Sequence, residues 1–150
     1  MGDIDLGMEY VPFSDDEHTI AMTMERNGQL VSQFSGTYVA ATGAILLDAQ
    51  LIRFPAEIVN GFIPDHMFGL RGTLEGKFKL SGDTDRPVVN GTVRTDSVFI
   101  YSEMYNMNLR VQNKEFPIND SRFSMRDFTL YSEKNDELKA NGTIDFANLD

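Results

Sequence analysis

From residue 70 to residue 81 the chain alternates with a period of two. Leu70, Gly72, Leu74, Gly76, Phe78 and Leu80 share one phase, and Arg71, Thr73, Glu75, Lys77, Lys79 and Ser81 the other. No helix keeps such a pattern on one face, whereas a strand with one dry and one wet face does. Gly82-Asp83-Thr84-Asp85-Arg86-Pro87 follows as turn chemistry, because Gly and Asp accept unusual backbone angles and Pro brings no ladder donor. Val89, Gly91 and Val93 resume the apolar phase, so residues 69–95 read as a hairpin or a meander step. The anomaly is glycine on the apolar side, where bulk is normally wanted.

The same period governs most of the chain. Ile4, Leu6, Met8 and Tyr10 alternate with Asp3, Asp5, Gly7 and Glu9, and a polar loop at 14–17 follows. Ile20, Met22 and Met24 mark a second strand, and Asn27-Gly28 is the strongest short hairpin signal, since a type I′ turn needs positive φ at both central residues. Leu30, Ser32, Phe34, Gly36 and Tyr38 form the return strand. Residues 44–54 predict a strand that is apolar on both faces in its first half and therefore covered on both.

Residues 55–63 break the period. Pro55 suits a first helical position, and Ile58, Val59, Phe62 and Ile63 recur at helical spacing. One short amphipathic helix is expected here, capping the sheet and ending at Pro64, with Gly61 weakening its last turn. Short strands are predicted at 98–101 and 106–111, and residues 122–131 read as two strands or one bulged strand. Residues 116–118 read as an edge piece, because Pro117 cannot serve a central ladder. Leu138, Ala140, Gly142, Ile144 and Phe146 alternate to the end, for a total of roughly ten strands and one helix.

Gly-Thr before a large apolar residue recurs at Gly36, Gly72, Gly91 and Gly142, with the glycine on the apolar phase each time. Glycine at one level thins one face of a sheet, which then coils tightly or leaves a trough. The expected fold is all-β: a single domain over residues 1–150, built as a curled, antiparallel-rich sheet. It takes the form of a β-taco, either an open groove or a flattened barrel, with the short helix near 55–63. A trough would be lined by Leu70, Leu74, Phe78, Leu80, Val89, Val93, Leu138, Ile144 and Phe146, with Gly36, Gly72, Gly76, Gly91 and Gly142 as its shallow points. Pattern alone favours a sandwich core in which the same residues pack on a second sheet. The eight methionines fit either case, being adaptable fillers of apolar space.

Composition narrows the function. A formal charge of −10, from 23 acidic against 13 basic residues, disfavours nucleic acid and anionic membrane surfaces as partners. There is no cysteine, hence no thiol or disulfide chemistry. The longest apolar run, residues 39–47, is too short to span a bilayer, and no charged n-region with an apolar h-region opens the chain. Its abrupt, strand-like start predicts a segment of a longer protein. His18 and His66 lie in separate polar loops. Asp15-Asp16-Glu17 and Asp83-Thr84-Asp85 lack the ligand spacing of a calcium loop. No nucleophile–base constellation and no phosphate cradle stand out, so neither enzyme activity nor a metal or cofactor is expected. The sequons at Asn90, Asn119 and Asn141 are read as structural, two of them duplicating the Gly-Thr repeat.

The run GLRGTLEGKFKLSGDTDRPVVNGTVRTDSVFI resembles the repeat of the TamB and AsmA-like proteins of Gram-negative envelopes. The upstream FPAEIVNGFIPD is similar to the short helix before that repeat, and ELKANGTIDFANL to its closing element. The likeness is to homologues of the Bacteroides type and covers residues 44–150. It implies a segment of a periplasmic protein whose inner-membrane anchor lies outside this chain. Along an apolar groove such a protein carries phospholipid between the membranes or assists outer-membrane protein assembly. The implied partners are acyl chains or unfolded outer-membrane protein, and a TamA-type outer-membrane barrel. Free end strands of such a segment also open a route to self-association. The alternative reading is a secreted β-sandwich module for binding or adhesion. A sugar-binding version of it would need exposed aromatic platforms, and most aromatics here fall on inward phases.

Overall fold

The computed structural model describes residues 3–62 and 68–145. All ten strands belong to one antiparallel sheet: β1 (Ile4–Pro12), β2 (Glu17–Arg26), β3 (Gln29–Val39), β4 (Ala44–Pro55), β5 (Gly69–Asp83), β6 (Pro87–Ser102), β7 (Met107–Val111), β8 (Glu115–Asn119), β9 (Arg122–Tyr131) and β10 (Glu137–Asp145). The order runs β1 to β7, then β9 and β10, with β8 paired to both β6 and β9. The architecture is all-β and curled, as the alternation requires.

Local chemistry sets the turns. Asn27 and Gly28 sit at φ 53° and 71°, the type I′ geometry that Asn-Gly predicts. Between β5 and β6 the Asp83 carboxylate accepts the backbone N–H groups of Asp85 and Arg86, at 3.1 and 2.8 Å, so this acidic run is a side-chain-capped turn.

Four register shifts bend the sheet. They lie opposite Val31, at Ile52-Arg53, at Ser97-Val98 against Gly72, and at Arg126-Asp127 against Asn141. Arg53, Ser97 and Asp127 take left-handed φ of 50–51° there. Residues 122–131 are thus one bulged strand, and 98–101 continue β6 rather than forming a separate strand.

Two further expectations are corrected. Residues 116–118 are not an edge: β8 lies between β6 and β9, and with β6–β7 and β7–β9 pairing it closes a four-strand barrel. Pro117 is tolerated because β9 registers only with Ile118 and Asn119, which leaves one flank of β8 unladdered at the proline. The segment after β4 is a 3₁₀ helix, Ala56–Phe62, and Pro55 is the last residue of β4 rather than a first helical residue. Asn60 explains its placement. Its amide N–H donates to the Leu70 carbonyl at 3.0 Å and its Oδ1 accepts the Leu70 N–H at 2.6 Å, so the side chain stands in for a strand at the head of β5. The expected stop at Pro64 and the helical spacing at Ile63 lie outside the described residues.

The buried core sits in the barrel. Val98, Val111, Phe116, Phe128 and Leu130 pack together, with Phe116 tilted against Phe123 and Phe128 at 5.5 and 5.3 Å between ring centroids. Thr95 ties the β7–β8 connection to β6: its hydroxyl donates to the Gln112 carbonyl at 2.7 Å, and its backbone N–H donates to Lys114. Beyond the barrel, Val31 and Ser32 on β3 are buried, but among the described residues the substantial contacts of β1 to β3 are with their sheet neighbours. The first half of β4 is not covered on both sides, and Leu46 is 50% exposed on the polar face.

Candidate functional site

Strand registers assemble the apolar phases into rows that cross the sheet. The central row runs Met8, Met22, Phe34, Ala49, Phe78, Gly91, Ile118, Phe123 and Ile144, one residue from each of nine strands. Beside it lie Tyr10, Ile20, Gly36, Leu47, Leu80 and Val89 on one side. On the other lie Leu6, Met24, Ser32, Leu51, Gly76, Val93 and Phe116. The intervening rows are polar, for example Thr23, Gln33, Gln50, Lys77 and Thr92. One face of a single-layered sheet is therefore apolar from edge to edge. At the barrel end this face is buried, and toward β1 it opens until Leu6 and Met8 are each 74% exposed.

The residues read from the sequence divide along this gradient. Phe78, Leu80 and Val89 lie half-buried on the open part of the face. Leu74 and Val93 pack against the barrel core, and Leu70 is held by the Asn60 clamp. Leu138 and Ile144 stand 55% and 41% exposed on β10, the far edge strand. Phe146 lies outside the described residues. Residues that the sequence reading passed over now join the face: Met22, Phe34, Ala49 and Leu47, from strands whose alternation was visible but whose register was not.

The glycines act by close approach of backbones. A Cβ on Gly91 would run into the Lys77 carbonyl and lie 2.8 Å from Phe78 Cα. A Cβ on Gly36 would meet the Leu46 carbonyl, one on Gly72 that of Ser97 and one on Gly76 that of Thr92. These contacts lie within the plane of the sheet, so the missing side chains let strands coil against each other. The apolar face is not left hollow above them, because the Phe78 ring reaches over Gly76 and Phe78 is the register partner of Gly91. Gly142 differs, since a Cβ there would meet only Met125 Cε at an ordinary 3.4 Å.

At one end of the open face three aromatic rings line up across β1, β2 and β3. His18 stacks on Tyr10 at 4.9 Å and on Tyr38 at 6.3 Å. His66 lies outside the described residues. Clefts sit elsewhere, two of them larger than the rest described. One of about 660 Å³ lies at the barrel end and includes Tyr101, Tyr105, Glu103, Asn108, Glu133 and Asp136. The other, about 500 Å³, lies mainly on the polar face, over Gln50, Lys77, Thr92, Arg94 and Glu115. The expectation of inward aromatics fails at Tyr10, Phe13, Phe68 and Tyr105, all of which are exposed.

Among the described residues no three His, Cys, Asp or Glu side chains gather as a metal site, and no helix is long and apolar enough to cross a membrane. Asn90 and Asn141 brace the backbone, accepting the N–H groups of Asp120 and Asp127 at 2.9 Å each. Ser121, third residue of the sequon at Asn119, is buried; its hydroxyl accepts the Val89 N–H and donates to the Pro87 carbonyl. Against known proteins, no family model matches the chain, and no match to it emerges among curated proteins or solved structures.

Proposed function

We propose that this chain is a non-enzymatic segment of an envelope groove protein of the TamB and AsmA-like kind. Its apolar face would carry phospholipid acyl chains, or unfolded outer-membrane protein, across the periplasm toward a TamA-type barrel. The observation that carries this reading is the unbroken apolar row from Met8 to Ile144, buried at Ala49, half-buried at Phe78, Phe34 and Met22, and exposed at Met8. An acyl chain gains about 0.8 kcal/mol per buried CH₂, so such a face holds lipid without polar recognition.

The test is to purify the chain from a Gram-negative host, extract it with organic solvent and analyse the extract for phospholipid. A photo-crosslinking residue at Phe34 or Leu80 is expected to label lipid, and one at Gln33 or Lys77, on the opposite face, is not. Equal labelling of both faces, or of neither, would refute the proposal. The binding-module alternative draws on the cleft with Tyr101 and Tyr105 at its wall. Saccharide-induced changes confined to that cleft, with no lipid in the extract, would favour it.

A further inference from the structure

Among the described residues the outermost strands of the sheet are β1 and β10, and they differ in charge and in self-complementarity. We infer that β10 pairs antiparallel with β10 of a second copy of this chain, forming a closed two-fold dimer. This inference does not depend on the lipid reading.

The full-length symmetric register centres on Asn141. It places Leu138 opposite the second copy's Ile144, Ala140 opposite Gly142 and Lys139 opposite Thr143. An even register keeps apolar with apolar, so the apolar face continues across the joint. The two most exposed large apolar side chains of the strand, Leu138 and Ile144, are thereby covered by each other. The bulge at this level belongs to β9, where Arg126 and Asp127 oppose the single Asn141, so β10 itself presents an unbroken ladder edge. Glu137 falls opposite Asp145, but the Asp145 carboxylate already accepts from Arg122 Nε at 3.1 Å, which reduces the repulsion. A two-fold joint of this kind closes on itself and does not propagate into fibres.

By contrast, β1 is guarded. Its polar phase is Asp5, Gly7 and Glu9, with Asp3 just before the strand. A β1–β1 joint would bring six carboxylates together with no cation on either strand, and like charges on paired strands oppose association.

Sedimentation of the full 150-residue chain over a concentration series is expected to show a monomer–dimer equilibrium. Ile144→Lys and Leu138→Lys are each expected to weaken the dimer about tenfold or more, because each removes two symmetry-related pairs. Met8→Lys on the exposed face of β1 leaves it unchanged. The chain lacks cysteine, so disulfide trapping is clean. The double variant Lys139→Cys/Thr143→Cys is expected to oxidise to a covalent dimer, and Gly7→Cys/Glu9→Cys on β1 is not. Far-ultraviolet circular dichroism confirms that each variant retains its β-structure. A wild-type chain that stays monomeric throughout would overturn the inference. So would a dimer broken by Met8→Lys but not by Ile144→Lys, or trapping through β1 alone.

Discussion

Gly72 and Gly142 carry the same Gly-Thr signature and play different parts. Gly72 sits at φ 121°, with the Ser97 carbonyl and Val98 Cα, 2.8 Å away, where a Cβ would stand. Gly142 has an ordinary backbone and room beside it. Gly72→Ala is therefore expected to lose about 1–3 kcal/mol of stability, the scale of a residue forced into a sparsely populated backbone region. Gly142→Ala is expected to stay within about 0.5 kcal/mol. Urea denaturation followed by circular dichroism separates the two, and equal losses would remove close approach as the explanation. The repeat itself was legible in the sequence. Which copies need glycine was not, because that depends on how near the neighbouring strand comes at each one.

At the scale of elements, stability concentrates where strands meet on more than one side. Phe116 on β8 is 2% exposed and touches both Phe123 and Phe128. Phe116→Ala is expected to cost about 3–5 kcal/mol, as for a fully buried aromatic. Phe34→Ala on the open face should cost clearly less, since that ring is only partly removed from water. Chemical denaturation of the two variants checks the order, and a larger loss at Phe34 would mean that another layer covers the face. The proline of β8 argued for an edge because local chemistry reports only a missing donor. It took β9, folding back from a turn at Asp120-Ser121, to place that short strand inside a closed barrel. A helix does follow β4, but its 3₁₀ form and its start after Pro55 escape local spacing for a related reason. Seven residues between two strands are shaped by the Asn60–Leu70 clamp, a contact across ten positions, more than by their own spacing.

The whole molecule is a sheet with a solid end and an open end. Protection from hydrogen exchange should follow that gradient, highest for amides of the four-strand barrel and lowest along β1, whose nine residues are all exposed and whose outer ladder has no partner among the described residues. Amide exchange followed by mass spectrometry tests this, and uniform protection from β1 to β9 would contradict the single-layered arrangement. Alternation at period two determined by itself that the chain is all-β, where most strands lie, and which side of each is apolar, because side-chain direction along a strand depends only on position parity. Tertiary structure alone decided how those sides combine. Register placed Met8 and Ile144 on one row nine strands wide, bulges curled the sheet, and closure of β6 to β9 buried one part of the apolar face while leaving the other open. These outcomes depend on hydrogen-bond partners far apart in the chain, and periodicity carries no information about partners.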